Sequence, residues 1–332
     1  MTKAARVGVI GAGGWGTALG IVANRAGSDV TLWTRNEHVI DSISKRRVNE
    51  PYLPDVFIDP SIQITSELNE VCQHDYVILA VPSQYLRALC ISISDMLASN
   101  VPLVIATKGI ERGSLMMMSE VVRAILPHNP IAILSGPNFA KEVATGMPSA
   151  TTIACTDQIL GEKLIYSMGG KFFRPYYSND VMGAQVGGAI KNVIAIASGI
   201  CIGRGLGENA RAALVTRGMA EMSRLADIKG GRSETLMGLC GMGDLILSCA
   251  SQKSRNMALG YAIGQGNKPD EVVPSNKHGL TEGVMTAESV YQISQKLGVN
   301  MPIARVVHQV LHNEIDIDSG IELLLERPFA PE

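Results

Sequence analysis

The stretch Val7–Gly20, VGVIGAGGWGTALG, restricts the fold of this chain more than any other. A buried-type apolar run, Arg6–Ile10, enters Gly11-Ala12-Gly13-Gly14-Trp15-Gly16, and a helical pattern follows over Thr17–Ala26. Gly11 permits a tight turn, Gly13 lets the backbone approach a pyrophosphate, and Gly16 lets helix and strand pack closely. The helix N-terminus adds free N–H groups and a positive dipole end. A ligand-free glycine turn is the bland alternative, but the strand-turn-helix setting favours a dinucleotide.

The rest of the first half repeats this grammar. Asp29–Thr34, Tyr76–Val81, Pro102–Thr107, Ile131–Ser135 and Thr151–Cys155 are Val- and Ile-rich and do not alternate with polar residues. Strands buried on both faces of a parallel sheet have that pattern. Helical patterns, such as Leu115–Leu126, lie between them. The expectation is an α/β fold: a doubly wound, mostly parallel, Rossmann-like sheet over residues 1–178, then an all-helical substrate and catalytic domain over 179–332. In that second part the helical patterns are Val181–Ile202, Asn209–Ala226, Arg255–Gln265, Glu282–Leu297 and Ile303–His312. The polar stretch Gly266–Gly279 reads as the longest loop.

The cofactor's ribose is read from the second strand. An NAD-selective site usually ends that strand in Asp or Glu; here it ends in Thr34-Arg35, with no carboxylate before Glu37. Arg35 can pair with a 2′-phosphate, so NADPH is favoured over NADH, although an Arg tolerates either. A solvated surface charge is the other reading of Arg35. Ligands in such sheets lie beyond the carboxyl ends of the strands. Lys108 stands there as a cation facing an anionic ligand, and Gly136 stands there as a point of close backbone approach.

Lys191 is the only charged residue between Val181 and Gly203. Lysine is almost never buried without a partner or a task. Its helical neighbours Ala184, Gly187, Gly188, Ala195 and Ser198 are all small, which predicts a groove that something other than side chains fills. Partial burial and a second cation nearby would lower its pKa and suit it to proton donation. Asp244, in the apolar GMGDLILSC, is a candidate partner for it. Ser254-Arg255-Asn256 opens a helix with a cap, free amides and a forked charge, a ready phosphate site.

Together GAGGWGTAL, LPDV, ATKGIE, SGPNFAKE, GGAIKNVIAI, ENARAALVTRGMAEMSRL, GDLILSC, SRN and LTEG resemble, in order, the NAD(P)-dependent glycerol-3-phosphate dehydrogenases of bacterial type. The resemblance implies reduction of dihydroxyacetone phosphate to sn-glycerol 3-phosphate for glycerophospholipid synthesis, by a cytoplasmic, usually dimeric enzyme. It makes Lys191 the proton donor or acceptor, with Lys108, Asn192 and Asp244 around it. It gives Gly136, Asn138, Ser254, Arg255 and Asn256 to the substrate. It gives Gly14, Trp15, Arg35, Lys108, Ala140, Arg255, Leu280 and Glu282 to the cofactor. Asn138 stands where the family often has Thr or Ser, and Ser248 stands where some relatives carry Thr, a change that keeps the hydroxyl.

Other classes fit less well. A net charge of −2 gives no nucleic-acid footprint. Val181–Gly203 is long enough to span a membrane, but a central Lys costs about 2.5–3.5 kcal/mol on insertion. Six scattered cysteines with no C-x-x-C pair read as free thiols in a reducing compartment. His308 and His312 lie four apart without a third ligand, so no metal is expected. The rival readings are a 3-hydroxyacid or 6-phosphogluconate-type dehydrogenase and a non-catalytic nucleotide sensor. The SRN phosphate site and ATKGIE oppose the first, and the joint presence of Lys191 and Asp244 opposes the second.

Overall fold

The structure is a computed structural model and describes residues 5–273 and 282–329. The chain divides into two compact units. The first runs to Lys108 and resumes over Met116–Gln185; the second comprises Gly109–Leu115 and the chain from Val186 onward.

Among the described residues the first unit has ten strands: β1 (Arg6–Ile10), β2 (Asp29–Trp33), β3 (Val48–Asn49), β4 (Leu53–Phe57), β5 (Gln63–Thr65), β6 (Tyr76–Leu79), β7 (Leu103–Ile105), β8 (Ile131–Ser135), β9 (Ser149–Cys155) and β10 (Phe173–Ser178). Eight form one sheet in the order β10-β9-β8-β7-β6-β1-β2-β5, while β3 and β4 make a separate antiparallel pair. Within the large sheet every pairing is parallel except β8 with β9. The chain moves outward from β1 to β2 and β5, then returns past β1 to β6, β7 and β8. The order therefore reverses at β1 and β6, the switch point where such sheets open a crevice at their carboxyl ends. Because crossovers are right-handed, the reversal sends the connecting helices to opposite faces.

The central strands are buried throughout β6, β7 and β8, which explains their unbroken apolar sequences. Val7, Val9, Leu19, Leu32, Ile78 and Val104 belong to one core cluster. A fully buried side chain of this kind contributes about 1.5–3 kcal/mol. Four strands, β3, β4, β5 and β10, differ from the sequence expectation in existence rather than extent. β5 has only three residues, and β3–β4 carries Pro54 and Asp55, so neither shows a strand pattern. β10 carries Arg174 and Pro175 at the sheet's edge, where Pro is tolerated. The basic run Lys45-Arg46-Arg47 ends the helix Glu37–Arg46, and Arg47 closes it in a left-handed conformation with φ of 56°.

The second unit is helical. Its long members are Val181–Gly203, which begins in the first unit, Gly207–Ile228 and Glu282–Leu297; shorter ones include Asp244–Ala250, Arg255–Gly264, Pro302–Leu311 and Ile317–Leu325. A five-residue π-turn, Leu239–Gly243, leads into Asp244. The stretch expected as a long loop contains the short helix Pro269–Val272, which Pro initiates at its first position. The early segment Gly109–Leu115 belongs here too: Ser289 Oγ donates to Ile110 O at 3.4 Å, and Arg112 pairs with Glu288 at 2.9 Å.

Val181–Gly203 is long and apolar enough to cross a membrane, yet most of it is buried in the protein. Its glycines explain how. A Cβ on Gly199 would lie 2.2 Å from Met257 O, and one on Gly203 would lie 2.3 Å from Tyr261 O. The helix Arg255–Gly264 thus packs backbone to backbone against it, contact that lipid could not replace.

Candidate active site

In the first unit the candidate site residues lie at the carboxyl ends of β1, β2, β6, β7 and β8. Gly11 has φ of 112°, and a Cβ there would lie 2.7 Å from Ala80 O, just past β6. Its N–H and that of Ala12 donate to Trp33 O at 3.0 and 3.1 Å, tying the turn to the end of β2. A Cβ on Gly16 would lie 1.9 Å from Gly11 O, so only glycine lets the helix Gly14–Arg25 start this close to the strand. A Cβ on Gly13 would meet nothing within 4 Å. Gly13 is also the N-cap and makes no side-chain cap bond, so the first-turn N–H groups keep their capacity for an anion.

These residues fit a pyrophosphate-bearing cofactor. The open side of Gly13 is one sign. A second is Trp15 Nε1, buried without a hydrogen-bond partner among the described residues, an arrangement that normally calls for an acceptor. Arg35 follows β2 on the surface, its guanidinium 5.6 Å from the centre of the Tyr85 ring, within cation–π range. Ala140 opens the short helix Ala140–Thr145, and its Cβ lies 3.8 Å from where a Gly14 Cβ would be.

Lys108 follows β7. Its Nζ donates to Gly136 O at 3.3 Å, just past β8, so two expected substrate residues meet. Thr107 anchors the same strand end by donating to Val81 O at 2.8 Å. Gly136 is fixed by crowding: a Cβ would lie 2.8 Å from Thr151 Cα on β9. Asn138 Nδ2 donates to Ala150 O at 3.0 Å, while its Oδ1 is buried without a partner.

In the second unit Lys191 Nζ donates to Asp244 Oδ1 and to Ser248 Oγ, each at 2.7 Å. The lysine side chain is 11% exposed and the aspartate 1%. Asp244 and Ser248 are four residues apart on Asp244–Ala250 and so share one face. Ser248, noted in the sequence for its hydroxyl but given no role there, is a direct partner of the lysine; its spacing from Asp244 is a further signal. The carboxylate is the partner expected for the amine, and the hydroxyl is a second acceptor beside it. Two positions of the small-residue stripe around Lys191 meet protein backbone. A Gly187 Cβ would lie 2.4 Å from Cys240 O, and Ser198 Oγ donates to Cys249 O at 2.9 Å. The contact at Gly187 brings the π-turn that leads into Asp244 against this helix. Beside them, burial pushes the Cys249 thiol up to about 12, with the positive charges of Lys191 and Arg211 opposing. It stays protonated and does not compete as a nucleophile.

Ser254 caps the helix Arg255–Gly264, accepting from Met257 N at 3.4 Å. Arg255 is exposed at its first position. Asn256 Nδ2 donates to Asn192 Oδ1 at 2.9 Å, and its Oδ1 accepts from Gly283 N at 3.1 Å. Asn192 and Asn256 therefore meet, with one Nδ2 hydrogen of Asn256 beyond those bonds. Glu282 opens the helix Glu282–Leu297, and Leu280 lies outside the described residues.

The expected histidine pair is packing. His308 is buried, stacked on Tyr291 at 4.3 Å and tilted against His312 at 4.2 Å between ring centres. Among the described residues no three His, Cys, Asp or Glu side chains converge as metal ligands would.

A dinucleotide turn at a sheet's switch point and an ion-paired lysine on a helical unit define a nicotinamide-dependent oxidoreductase acting on a CH–OH group. Family models narrow the class: residues 6–160 match the N-terminus, and residues 180–322 the C-terminus, of NAD-dependent glycerol-3-phosphate dehydrogenase. A glycerol-3-phosphate dehydrogenase (NAD(P)+) of Rhodospirillum rubrum is 47% identical over 98% of this chain and 93% of its own. One of Maricaulis maris is 43% identical over 100% and 99%. The crystal structure of glycerol-3-phosphate dehydrogenase from Coxiella burnetii superposes with a TM-score of 0.93 at 35% identity, covering 98% of this chain and 99% of that one. The chain belongs to the NAD-dependent glycerol-3-phosphate dehydrogenase family, whose cofactor is NADH or NADPH.

Proposed function

We propose that this protein interconverts dihydroxyacetone phosphate and sn-glycerol 3-phosphate, with Lys191 as the proton-transferring residue. The observation that carries this reading is the buried Lys191–Asp244–Ser248 cluster, with both bonds at 2.7 Å. When bound, the reduced nicotinamide supplies a hydride equivalent for the ketone carbon. Lys191 Nζ gives a proton to the ketone oxygen as that carbon becomes an alcohol, and takes it back in the reverse direction. Asp244 holds the amine charged and aimed, which stabilises oxyanion character as it develops. Ser248 fixes the amine from a second direction.

Arg255, the amides opening Arg255–Gly264 and Asn256 hold the phosphate, because a charged fork and a helix N-terminus suit a dianion. Ser254 acts by capping that helix. Lys108, Gly136, Asn138 and Asn192 contact the substrate, and Lys108 also contacts the cofactor. Gly11, Gly13, Gly14, Trp15 and Gly16 cradle the pyrophosphate side of the cofactor, with Arg35, Ala140, Arg255, Leu280 and Glu282 as its further contacts. Arg35 favours NADPH. The product serves as the backbone of glycerophospholipids. Six free, buried cysteines support a reducing, cytoplasmic setting. The proposed assembly is a homodimer.

The test is initial rates with dihydroxyacetone phosphate and each reduced cofactor, for wild type and Lys191→Met. Wild type should turn over this substrate and not 3-hydroxyacids or 6-phosphogluconate. Lys191→Met should lose roughly 10²–10⁴-fold in kcat, the usual weight of a positioned proton donor. A Met variant at wild-type speed would overturn the reading.

A further inference from the structure

We infer that Asn49 is a positioning residue for cofactor binding, which aims the Gly13 N–H outward by holding the Ala12 carbonyl inward. The inference rests on the reading that the glycine turn holds NAD(P)H.

Asn49 ends β3, in the two-stranded pair apart from the main sheet, and is 0% exposed. Its Nδ2 donates to Ala12 O at 2.9 Å and to Thr17 Oγ1 at 2.8 Å. Both hydrogens of that amide are thereby used. Both partners belong to the cradle: Ala12 lies within the glycine turn, and Thr17 lies in the first turn of the helix it opens. Thr17 N in turn donates to Gly13 O at 2.9 Å. One NH₂ group therefore spans Gly13–Gly16 from behind.

Peptide geometry turns that anchor into a direction. The Ala12 carbonyl and the Gly13 N–H share one peptide plane, and the bond is trans, as all described bonds are. In a trans peptide the two groups point opposite ways. A carbonyl fixed toward buried Asn49 leaves the Gly13 N–H pointing away from it, toward the side where Gly13 has no neighbour within 4 Å. The same two-stranded pair supports the next residue. Tyr52 N donates to Asn49 O at 3.1 Å, and Tyr52 O lies 3.6 Å from where a Gly14 Cβ would be. Without Asn49 the Ala12–Gly13 peptide is free to rotate, and ordering it again falls on the binding step.

The experiment is equilibrium titration of the full chain with NADPH, followed by cofactor fluorescence, for wild type, Asn49→Ala, Asn49→Asp and Thr17→Val. Thermal unfolding of each apo variant and kcat at saturating NADPH accompany it. Asn49→Ala and Asn49→Asp should raise the NADPH Kd about tenfold, ~1.4 kcal/mol. Asp matches Asn in size but, once ionised, cannot donate. Thr17→Val keeps the Ala12 bond and should raise Kd by no more than about threefold. In every folded variant kcat at saturation should stay within about twofold, a split that a general loss of structure would not give. If Asn49→Ala does not fold, the contrast between Asn49→Asp and Thr17→Val carries the test. Equal Kd values for wild type and both Asn49 variants overturn the inference alone. Absence of NADPH binding by wild type overturns the underlying reading of the turn.

Discussion

Replacing Asp244 by Asn tests the site most directly, because it changes charge and almost nothing else. The carboxylate accepts from Lys191 Nζ at 2.7 Å, with 1% and 11% of the two side chains exposed. Two unit charges at 4 Å attract by about 4 kcal/mol at an effective dielectric near 20. Removing the negative partner raises the cost of the ammonium by that order. The protonated amine should therefore give way to the free amine at a lower pH than in wild type. The sign matters: a proton donor must be charged, so it is the alkaline limb of the reduction rate that moves, and it moves down. The assay is the initial rate of NADPH oxidation with dihydroxyacetone phosphate, from about pH 5.5 to 9.5, with kcat and kcat/KM fitted separately. Near neutrality kcat should fall by roughly 10²-fold and recover in part at the acidic end. Superimposable profiles, with kcat within twofold of wild type throughout, would refute the pairing as the basis of proton transfer.

Two further outcomes follow from packing. Gly187→Ala places a Cβ 2.4 Å from Cys240 O, against backbone that leads directly into Asp244; steady-state kinetics should show kcat down at least about tenfold, with KM for NADPH unchanged. Glu221 is buried and accepts from Ile303 N and Ala304 N, yet burial outweighs those bonds and raises its carboxyl from 4.5 to about 7. The native state then binds the extra proton, so Glu221's contribution is fully present below about pH 4.5 and is lost as pH rises through about 7. Tm measured across that window should fall more steeply for wild type than for Glu221→Gln, and parallel slopes would remove Glu221 as the cause.

The parts of the fold legible in the sequence were those written in a single segment. β1, the glycine turn and its helix lie within twenty residues, so local pattern and final geometry coincide. The unbroken Val and Ile runs of β6 and β8 reported burial on both faces, because no polar position had to be kept. What stayed hidden depended on partners far along the chain. Nothing near Gly187 or Ser198 announces that Cys240 and Cys249 carbonyls lie against them, so the pattern of small residues showed a groove without showing what fills it. The role of Ser248 escaped because it exists only once Asp244 and Lys191 meet across 53 residues. Asn49 sits in a two-residue strand with no periodicity to mark it, and its partners lie more than thirty positions upstream.

The seven residues Gly109–Leu115 have a consequence for how this polypeptide can be dissected. Sequence pattern suggests a cut near 178/179, yet the helical body draws a strap from deep inside the preceding half, held by Ser289 and Glu288. A fragment starting at 179 would expose the seat of that strap, and its counterpart would trail a loose loop between β7 and β8. During synthesis, too, the strap leaves the ribosome well before the helix that receives it, so the helical body cannot seat it until Glu288 and Ser289 have been made.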